Sequence, residues 1–318
     1  MRPKAQHVEK VIRAVESGSD AARSPLAASW RRSMEHHGLD PARGGPPDLI
    51  EERDLVRRRD ELGRLLAMAT PKLDQLFGLV AASGCGVLLT DATGIVLDLR
   101  CTDADAATFR DWGLHPGADW SEAREGTNGI GTCLAERRRV TIHREDHFLA
   151  RNTVLSCMDA PIFGTDGHVL AALDVSSARV DETEGFNRLL SAAVSHCAQT
   201  IENYHFRSTF PDARIVVADP DGADATALLA VDEDDLVIGA TRAARRVFGL
   251  DPTGPVKPRP TVDLFGRRGG PTGFERAERA AVVRALVRAN GNVSQAARVL
   301  GIGRATLYRQ MRRLGIER

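Results

Sequence analysis

Residues 290–308 read Asn-Gly-Asn-Val-Ser-Gln-Ala-Ala-Arg-Val-Leu-Gly-Ile-Gly-Arg-Ala-Thr-Leu-Tyr, a pattern that predicts two short helices joined by a tight turn. Asn292 is a residue type that begins helices, and the turn Gly301-Ile302-Gly303 separates the first helix from a second one that begins at Arg304. The alanine pair at 296–297 is small where two helices must cross closely. This arrangement is typical of a helix-turn-helix.

The second predicted helix is basic and carries side chains that suit DNA. Its N-terminal residues should reach base edges in the major groove, so Arg304 is placed to bind a guanine and Thr306 a thymine methyl group or a phosphate. The other arginines would neutralise phosphates. The predicted DNA-binding residues are Asn292, Ser294, Gln295, Arg304, Thr306, Tyr308, Arg309, Arg312 and Arg313. The alternative, a basic hairpin that only aids solubility, is disfavoured because arginine alone supplies the charge.

The charge distribution supports this prediction. The whole chain has a formal net charge of zero, but residues 266–318 contain 12 Arg and no Lys against 3 Glu. That tail therefore has a balance of +9, and residues 1–265 must have a balance of −9. A basic tail on an acidic body points to a polyanionic partner for the tail alone.

The stretch quoted above resembles the Fis-type helix-turn-helix of bacterial regulators, and the resemblance covers nearly all of residues 275–316. It implies a homodimeric unit that binds double-stranded DNA. Gly303 departs from the family pattern, which commonly has Ser or Asn before the second helix. Glycine still serves as a cap at this position, with a loss of roughly a few tenths of a kcal/mol.

The composition predicts a soluble protein of several domains. The chain has 318 residues, of which 42% are hydrophobic and 27% charged, with no apolar run long enough to span a membrane. Met1-Arg2-Pro3-Lys4 leads into a polar segment, which does not resemble a signal peptide. The five cysteines are widely spaced and lack a Cys-x-x-Cys motif. We therefore expect a reduced, cytoplasmic protein without membrane contacts.

Helix and strand patterns predict a multi-domain α+β fold. Thr70-Pro71 predicts the start of a further helix, and residues 86–97 and 159–175 each predict a β-hairpin. The helix predicted from Asp181 to Tyr204 is long enough to connect a dimer, although packing on its own sheet is an equal alternative. The predicted parts are an N-terminal helical region (1–74), an α+β sensor domain (75–207), a small acidic segment (208–252), a linker (253–273) and an all-α region (274–318).

Three motifs carry a second resemblance: Ser29-Trp30-Arg31-Arg32-Ser33, Gly126-Thr127-Asn128-Gly129-Ile130-Gly131-Thr132 and Leu173-Asp174-Val175-Ser176-Ser177. They are similar to activators of the acetoin catabolism regulator type. The resemblance implies a GAF-like sensor over residues 75–207 and a partial PAS-like segment over 208–252. Most such regulators carry an ATPase domain between sensor and helix-turn-helix. This sequence has only about 60 residues there and no Gly-x-x-x-x-Gly-Lys-Ser/Thr loop.

The predicted sensor holds the candidate effector-binding residues. The segment Gly126–Thr132 is either a pocket lid or a glycine-rich helix start that lets the chain turn against the sheet. His143 and His147 are four residues apart and could hold a metal with Cys157 on a helix, but Val140-Thr141-Ile142 predicts a strand, so no metal site is predicted. The candidates are Trp120, Thr127, Asn128, His143, His147, Phe148, Cys157 and Asp159.

Together these patterns predict a sequence-specific DNA-binding regulator that responds to a small organic effector without hydrolysing ATP. Its expected partners are double-stranded DNA, a second copy of the chain and the effector, with RNA polymerase as a further candidate. No cofactor and no catalytic residue is predicted, because the sequence shows no nucleophile elbow, no zinc-protease motif and no clear carboxylate pair. The alternatives are an architectural DNA-binding protein and a cysteine-based redox sensor.

Overall fold

The computed structural model describes residues 2–17, 24–177, 184–218, 226–265 and 273–316. The chain forms two compact units, Met1–Arg259 and Pro260–Arg318. Both helices and antiparallel sheets are present, so the predicted multi-domain α+β class is confirmed. None of the helices in the described ranges combines the length and apolar character needed to cross a membrane.

A five-stranded antiparallel sheet forms the centre of the first unit. Its strands are β1 (Gly86–Thr90), β2 (Val96–Arg100), β3 (Val140–His143), β4 (Ser156–Phe163) and β5 (Val169–Ser177), in the order β2-β1-β5-β4-β3. Both predicted hairpins are confirmed, because β1 pairs with β2 and β4 with β5. In the first turn Asp91 Oδ1 accepts hydrogen bonds from the backbone N–H groups of Thr93 and Ile95, at 2.8 and 3.1 Å.

Thirteen α-helices are described in the ranges given above. Those of the first unit are α1 (Arg2–Glu16), α2 (Pro25–Arg31), α3 (Glu52–Glu61), α4 (Gly63–Val80), α5 (Ala106–Asp111), α6 (Glu122–Glu125), α7 (Gly129–Glu136), α8 (Glu184–Thr209) and α9 (Arg242–Val247). A π-helical turn, Arg32–His36, follows α2. The remaining four helices, α10 to α13, lie in the second unit.

One face of the central sheet is apolar and is covered by α4 and α8. Alternate strand residues such as Val87, Met158 and Leu173 pack there against Leu73 of α4 and Ile201 of α8. Of the two alternatives for the long helix, the structure shows packing on its own sheet along this face. Asp181, where that helix was predicted to begin, lies outside the described residues.

The helix start predicted at Thr70-Pro71 is wrong, because α4 runs through Pro71 without a break. Proline in a helix interior costs about 3 kcal/mol, since it lacks an N–H group and its ring crowds the preceding turn. The buried stripe of Leu65, Ala69 and Leu73 continues across this position. Burial contributes about 1.5–3 kcal/mol for each large side chain, which offsets the proline. Helix α4 therefore crosses the domain boundary predicted at residue 75.

A second antiparallel sheet follows α8. It contains β6 (Arg214–Ala218), β7 (Ala227–Val231), β8 (Leu236–Ala240) and the short β9 (Arg259–Pro260), in that order. Thr241 caps α9 by accepting a hydrogen bond from the backbone N–H of Ala244, so in the acidic segment the strands are followed directly by a capped helix. The buried guanidinium of Arg245 donates to the carbonyls of Thr165 and Gly254, at 2.9 and 2.7 Å, and thereby ties α9 to the β4–β5 turn.

The second unit is a small helical bundle. Its helices are α10 (Thr261–Phe265), α11 (Phe274–Arg288), α12 (Val293–Val299) and α13 (Arg304–Arg313). Helix α10 lies within the stretch predicted as a linker. The core is aliphatic and consists of Val282, Ala285, Ala289, Val293, Ala296, Ala297, Leu307, Met311 and Leu314. The predicted helix-turn-helix of α12 and α13 is confirmed as a local structure.

Candidate nucleic-acid interface and effector site

Helix α13 separates its apolar and basic residues onto different sides. Leu307 and Met311 are buried in the bundle, whereas Arg304, Arg309 and Arg312 are exposed. Gly303 precedes the helix in extended conformation with φ −68°, and no side chain caps the first turn. The free N–H groups and the arginines therefore give the start of α13 a positive potential that suits a nucleic-acid phosphate.

Some of the predicted DNA-binding side chains already have partners within the unit. Arg313 forms an ion pair with Glu278 of α11. Asn292 caps α12, because its Oδ1 accepts the N–H groups of Ser294 and Gln295 at 3.1 and 3.2 Å. Arg304 lies over the ring of Tyr308, 5.6 Å from its centroid, which limits the freedom of the guanidinium. The base-reading and phosphate roles of these residues stay predictions.

The second face of the central sheet is partly polar and is covered by α7. Six side chains meet there and are called the interior cluster: Cys133, His147, Cys157, Asp159, Asp174 and Ser176. All six are buried. They come from α7, the segment after β3, β4 and β5, so elements distant in sequence supply them.

Asp159 and Asp174 form a buried pair of carboxyl groups at the centre of this cluster. They are directly opposite each other in the β4–β5 register. Both carboxyl oxygens of Asp159 and Oδ1 of Asp174 have no hydrogen-bond partner among the described residues outside the pair, so the two carboxyl groups interact with each other. Burial and the neighbouring carboxyl raise the pKa of Asp159 well above its usual range, and burial raises the pKa of Asp174 to about 7. At neutral pH the pair therefore retains a proton.

A chain of hydrogen bonds connects this pair to His147. Nδ1 of His147 lies 3.0 Å from the Arg144 carbonyl and must donate to it, so Nε2 is the acceptor. The Cys157 thiol lies 3.5 Å from that Nε2, and the Ser176 hydroxyl lies 3.2 Å from Cys157 Sγ and 2.7 Å from Asp174 Oδ2. Burial lowers the pKa of His147 to about 4, so the imidazole is neutral.

Gly129 allows α7 to approach the carboxyl pair. A Cβ atom on Gly129 would overlap Asp159 Oδ2 and would lie 2.5 Å from the Cβ of Cys157. Only a residue without a side chain fits between the helix and β4 at this point. This contact supports the alternative in which the glycine-rich segment is a helix start that turns against the sheet.

Thr127 is directed away from the interior cluster. Its hydroxyl lies 2.8 Å from Ser29 Oγ and 3.2 Å from Ser33 Oγ, both at the N-terminal helices. Arg32 donates two hydrogen bonds of 2.6 Å to the buried carboxylate of Glu122 on α6. Two of the motifs that carry the family resemblance therefore contact each other and fasten α2 to the sensor. The effector role predicted for Thr127 stays a prediction.

The other predicted effector residues occupy separate environments. Trp120 is buried and donates from Nε1 to the Gly113 carbonyl at 2.8 Å, whereas Asn128 caps α7 by accepting the Gly131 N–H. Phe148 packs against Trp30 and α1, and His143 is partly exposed with Nδ1 2.8 Å from Ser156 Oγ. Of the eight candidates, the structure brings His147, Cys157 and Asp159 together.

The sequence interpretation missed Cys133, Asp174 and Ser176 as members of a site. Asp174 and Ser176 lie in the run Leu-Asp-Val-Ser-Ser, which the sequence interpretation used for the family resemblance and, up to residue 175, for a hairpin, but not for a site. Polar residues at alternate positions of an otherwise apolar strand share one face of the sheet, and that alternation is the signal that identifies them.

None of the five cysteines, all of which lie in the described ranges, forms a disulfide bond, and burial raises the pKa of Cys133 and Cys157 well above the ordinary value. A protonated, buried thiol is a weak nucleophile. Within the described ranges, no group of three or more His, Cys, Asp or Glu side chains is arranged to hold a metal ion.

Comparison with protein-family models gives two matches. Residues 64–202 match the GAF domain, and residues 273–314 match the bacterial regulatory protein Fis family. Among solved structures, the Escherichia coli DhaR(N)–DhaL complex has a TM-score of 0.51 with 16% identity, over 76% of this chain and 81% of that chain. At this identity the likeness shows the fold alone.

Three curated proteins are similar in sequence. The acetoin catabolism regulatory protein of Cupriavidus necator is 33% identical over 76% of this chain and 38% of that protein. The acetoin dehydrogenase operon activator AcoR of Bacillus subtilis is 27% identical over 48% of this chain and 25% of that protein. The propane 2-monooxygenase operon activator MimR of Mycolicibacterium smegmatis is 33% identical over 45% of this chain and 23% of that protein. The chain thus spans less than half the length of each relative.

Proposed function

Because the chain joins a GAF domain to a Fis-family helix-turn-helix, we propose that it is a bacterial, sequence-specific transcription regulator. The second unit binds double-stranded DNA, and the first unit senses a small organic molecule. The observation that carries this proposal is the exposed, all-arginine basic side of α13 on a helix-turn-helix core. Acting on DNA, the protein would work in the cytoplasm and not as an enzyme.

The interior cluster is the proposed effector site. Carboxyl oxygens that lack a partner outside the pair are expensive to bury, by about 1–3 kcal/mol each, so a ligand that donates hydrogen bonds to Asp159 and Asp174 would be bound favourably. The matching ligand is a small, neutral molecule with hydroxyl groups. Two relatives named above are named for acetoin and one for a propane oxygenase, which supports a small oxygenated metabolite as the effector class.

Two further features belong to the proposal. Regulation would proceed without ATP hydrolysis by this chain, because its sequence contains no Gly-Lys dipeptide of a phosphate loop. Contact with RNA polymerase would instead change the rate of transcription. The DNA-binding form would be a homodimer. Val287 of α11 supports this, since its side chain is 70% exposed on the side of the helix opposite the core residues Val282 and Ala289.

A thermal-shift experiment with a panel of acetoin, 2-propanol and phenol tests the effector site. A ligand that binds only the folded protein at 100 times its Kd stabilises it by about 2.7 kcal/mol, so the melting temperature should rise for at least one of these compounds. The Asp159→Asn variant should lose that rise, whereas the exposed control Asp103→Asn should keep it. A rise that survives Asp159→Asn would place the effector elsewhere.

The two alternatives have distinct consequences. An architectural DNA-binding protein would bind all sequences alike, and the buried polar cluster of the first unit would have no role in it. A cysteine-based redox sensor would need a reactive thiolate, whereas burial raises the pKa of Cys101, Cys133, Cys157 and Cys197. These pKa directions favour the regulator with a non-covalent effector.

A further inference from the structure

A basic groove lies in the first unit between the turn that precedes β3, helix α8 and helix α9. We call it the arginine groove. Five arginines line it, Arg137, Arg138, Arg139, Arg242 and Arg246, and the cavity has a volume of about 330 Å³. None of these residues belongs to the interior cluster. Five cations around one concave surface are unusual in residues 1–265, which carry an overall negative balance.

The positive charge of the groove is only partly neutralised. Arg138 forms an ion pair with Glu136, but among the described residues Arg137, Arg139 and Arg246 have no carboxylate within ion-pair distance. Burial lowers the pKa of Arg242, and so do Arg246 and Arg137, whereas Glu202 opposes the shift; two like charges therefore act on this guanidinium against one carboxyl group. Such crowding is unfavourable unless an anion relieves it.

Arg242 is held in a fixed position at the base of the groove. Its guanidinium stacks 3.9 Å from the centroid of the Phe163 ring, and its Nη1 donates to the Arg137 carbonyl at 3.1 Å. Glu202 is the acidic side chain among the described lining residues, and its Oε2 accepts the Phe163 N–H at 3.2 Å. Burial raises the pKa of Glu202 to about 7, so this carboxyl is partly protonated at neutral pH and offsets only part of the positive charge.

We propose that the arginine groove binds a small phosphate-bearing anion with at least two negative charges, separately from the effector. The planar guanidinium group matches the oxygens of a phosphate with two parallel hydrogen bonds, and five such side chains line this groove. A cavity of about 330 Å³ suits a small molecule, since ligand pockets begin at about 300 Å³. It is concave and too small for a nucleic-acid duplex. The first unit would then bind two ligands, the effector and this anion.

Isothermal titration calorimetry of the full-length chain with inorganic pyrophosphate, in 0.15 M NaCl, tests this site. We expect saturable binding of one pyrophosphate per chain, weaker by at least about tenfold in the double variant Arg139→Gln/Arg246→Gln. Both side chains are exposed, so the fold should be retained, and an unchanged melting temperature checks this. Arg110→Gln on the exposed side of α5 is the matched control in the first unit, and it should bind as the wild type does.

Two further titrations distinguish the arginine groove from other anion-binding sites on the chain. Arg312→Gln in the second unit should leave pyrophosphate binding unchanged, since the groove lies in the first unit. Succinate should bind more weakly than pyrophosphate, because a dicarboxylate presents fewer oxygens to the arginines. The proposal is overturned if pyrophosphate does not saturate, if the double variant binds it as tightly as the wild type, if Arg312→Gln abolishes binding, or if succinate binds at least as tightly.

Discussion

Helix α13 and the interior cluster place their ionisable side chains in opposite environments, one exposed to solvent and the other buried. On α13 the arginines are exposed, so they cost the fold little and remain available to a partner. In the interior cluster two carboxyl groups are buried opposite each other, where desolvation and repulsion oppose ionisation. The exposed arginines of α13 that form no ion pair among the described residues, Arg304, Arg309 and Arg312, should therefore be removable without harm to stability, whereas any change in the interior cluster should alter stability and ligand binding together.

A pair of glycines tests this difference with the largest expected effect. Gly129 begins α7 against β4, where a Cβ would overlap Asp159, whereas a Cβ on Gly303 would meet only Thr306 Oγ1, at 3.7 Å. We expect Gly129→Ala to destabilise the first unit by about 3 kcal/mol, because overpacking forces the helix from the sheet. Gly303→Ala should destabilise the second unit by less than about 1 kcal/mol.

Urea unfolding measures the first of these effects without interference from the second unit. The three tryptophans of the chain, Trp30, Trp112 and Trp120, all lie in the first unit, so their fluorescence reports on that unit alone. The second unit is followed by circular dichroism. Equal losses for the two alanine variants would show that the interior cluster is not tightly packed against α7.

The pH dependence of stability provides the next largest effect. The folded pKa of Asp174, about 7, lies above the ordinary value for aspartate, so the protonated form is favoured by folding. The contribution of Asp174 to the stability of the fold is therefore greatest below about pH 4, declines as the pH rises and levels off above about pH 7. Asp159→Asn removes the neighbouring carboxyl and should stabilise the first unit by about 2 kcal/mol at pH 8, with a smaller gain at pH 5.

The same tryptophan fluorescence, recorded in urea at both pH values, checks this prediction. The exposed control Asp103→Asn should follow the wild type at each pH. If Asp159→Asn shows the pH dependence of the wild type, the buried pair does not titrate as described.

The sequence could predict those parts of the fold that depend on local patterns, but not those that depend on packing between distant segments. The hairpins and the helix-turn-helix depend on local signals, namely alternating apolar residues, turn residues such as Asp91 and the cap Asn292. The helix through Pro71 could not be predicted, because packing of Leu65 and Leu73 on a distant sheet overrides the local preference. Local propensity fails where burial supplies the larger energy.

The candidate sites show the same division. The exposed arginines of α13 could be identified because the spacing of the apolar residues in an amphipathic helix indicates which side faces solvent. Thr127 could not be placed, because its partners Ser29 and Ser33 lie more than 90 residues earlier. The pairing of Asp159 with Asp174 depends on the β4–β5 register, which the sequence predicts only as a hairpin.

Replacing Arg304 tests base reading by α13. Arg304→Ala should cost about 1–3 kcal/mol in affinity for a specific site and relax preference at one base position, because a bidentate contact to a guanine is lost. The urea unfolding of both units should be unchanged, since Arg304 is exposed. Equal losses on specific and random DNA, measured by fluorescence anisotropy, would contradict this role.

Replacing Arg312 should produce the smallest and least selective effect. Arg312→Ala should weaken binding to all DNA sequences alike and reduce the slope of log K against log salt by about one unit, because one phosphate contact is lost. Arg313→Ala is the matched comparison, and its effect should be smaller since Arg313 is paired with Glu278. A larger loss for Arg313→Ala would show that DNA displaces this ion pair.

The ratio of affinities for selected and random DNA tests the proposed function most directly. Duplexes enriched from a random pool by the full-length chain are titrated at physiological salt alongside a scrambled duplex of equal length. A sequence-specific regulator should prefer the enriched duplex by about 10³ or more. A ratio near one, or a pool in which no sequence is enriched, would contradict the account and favour an architectural DNA-binding protein.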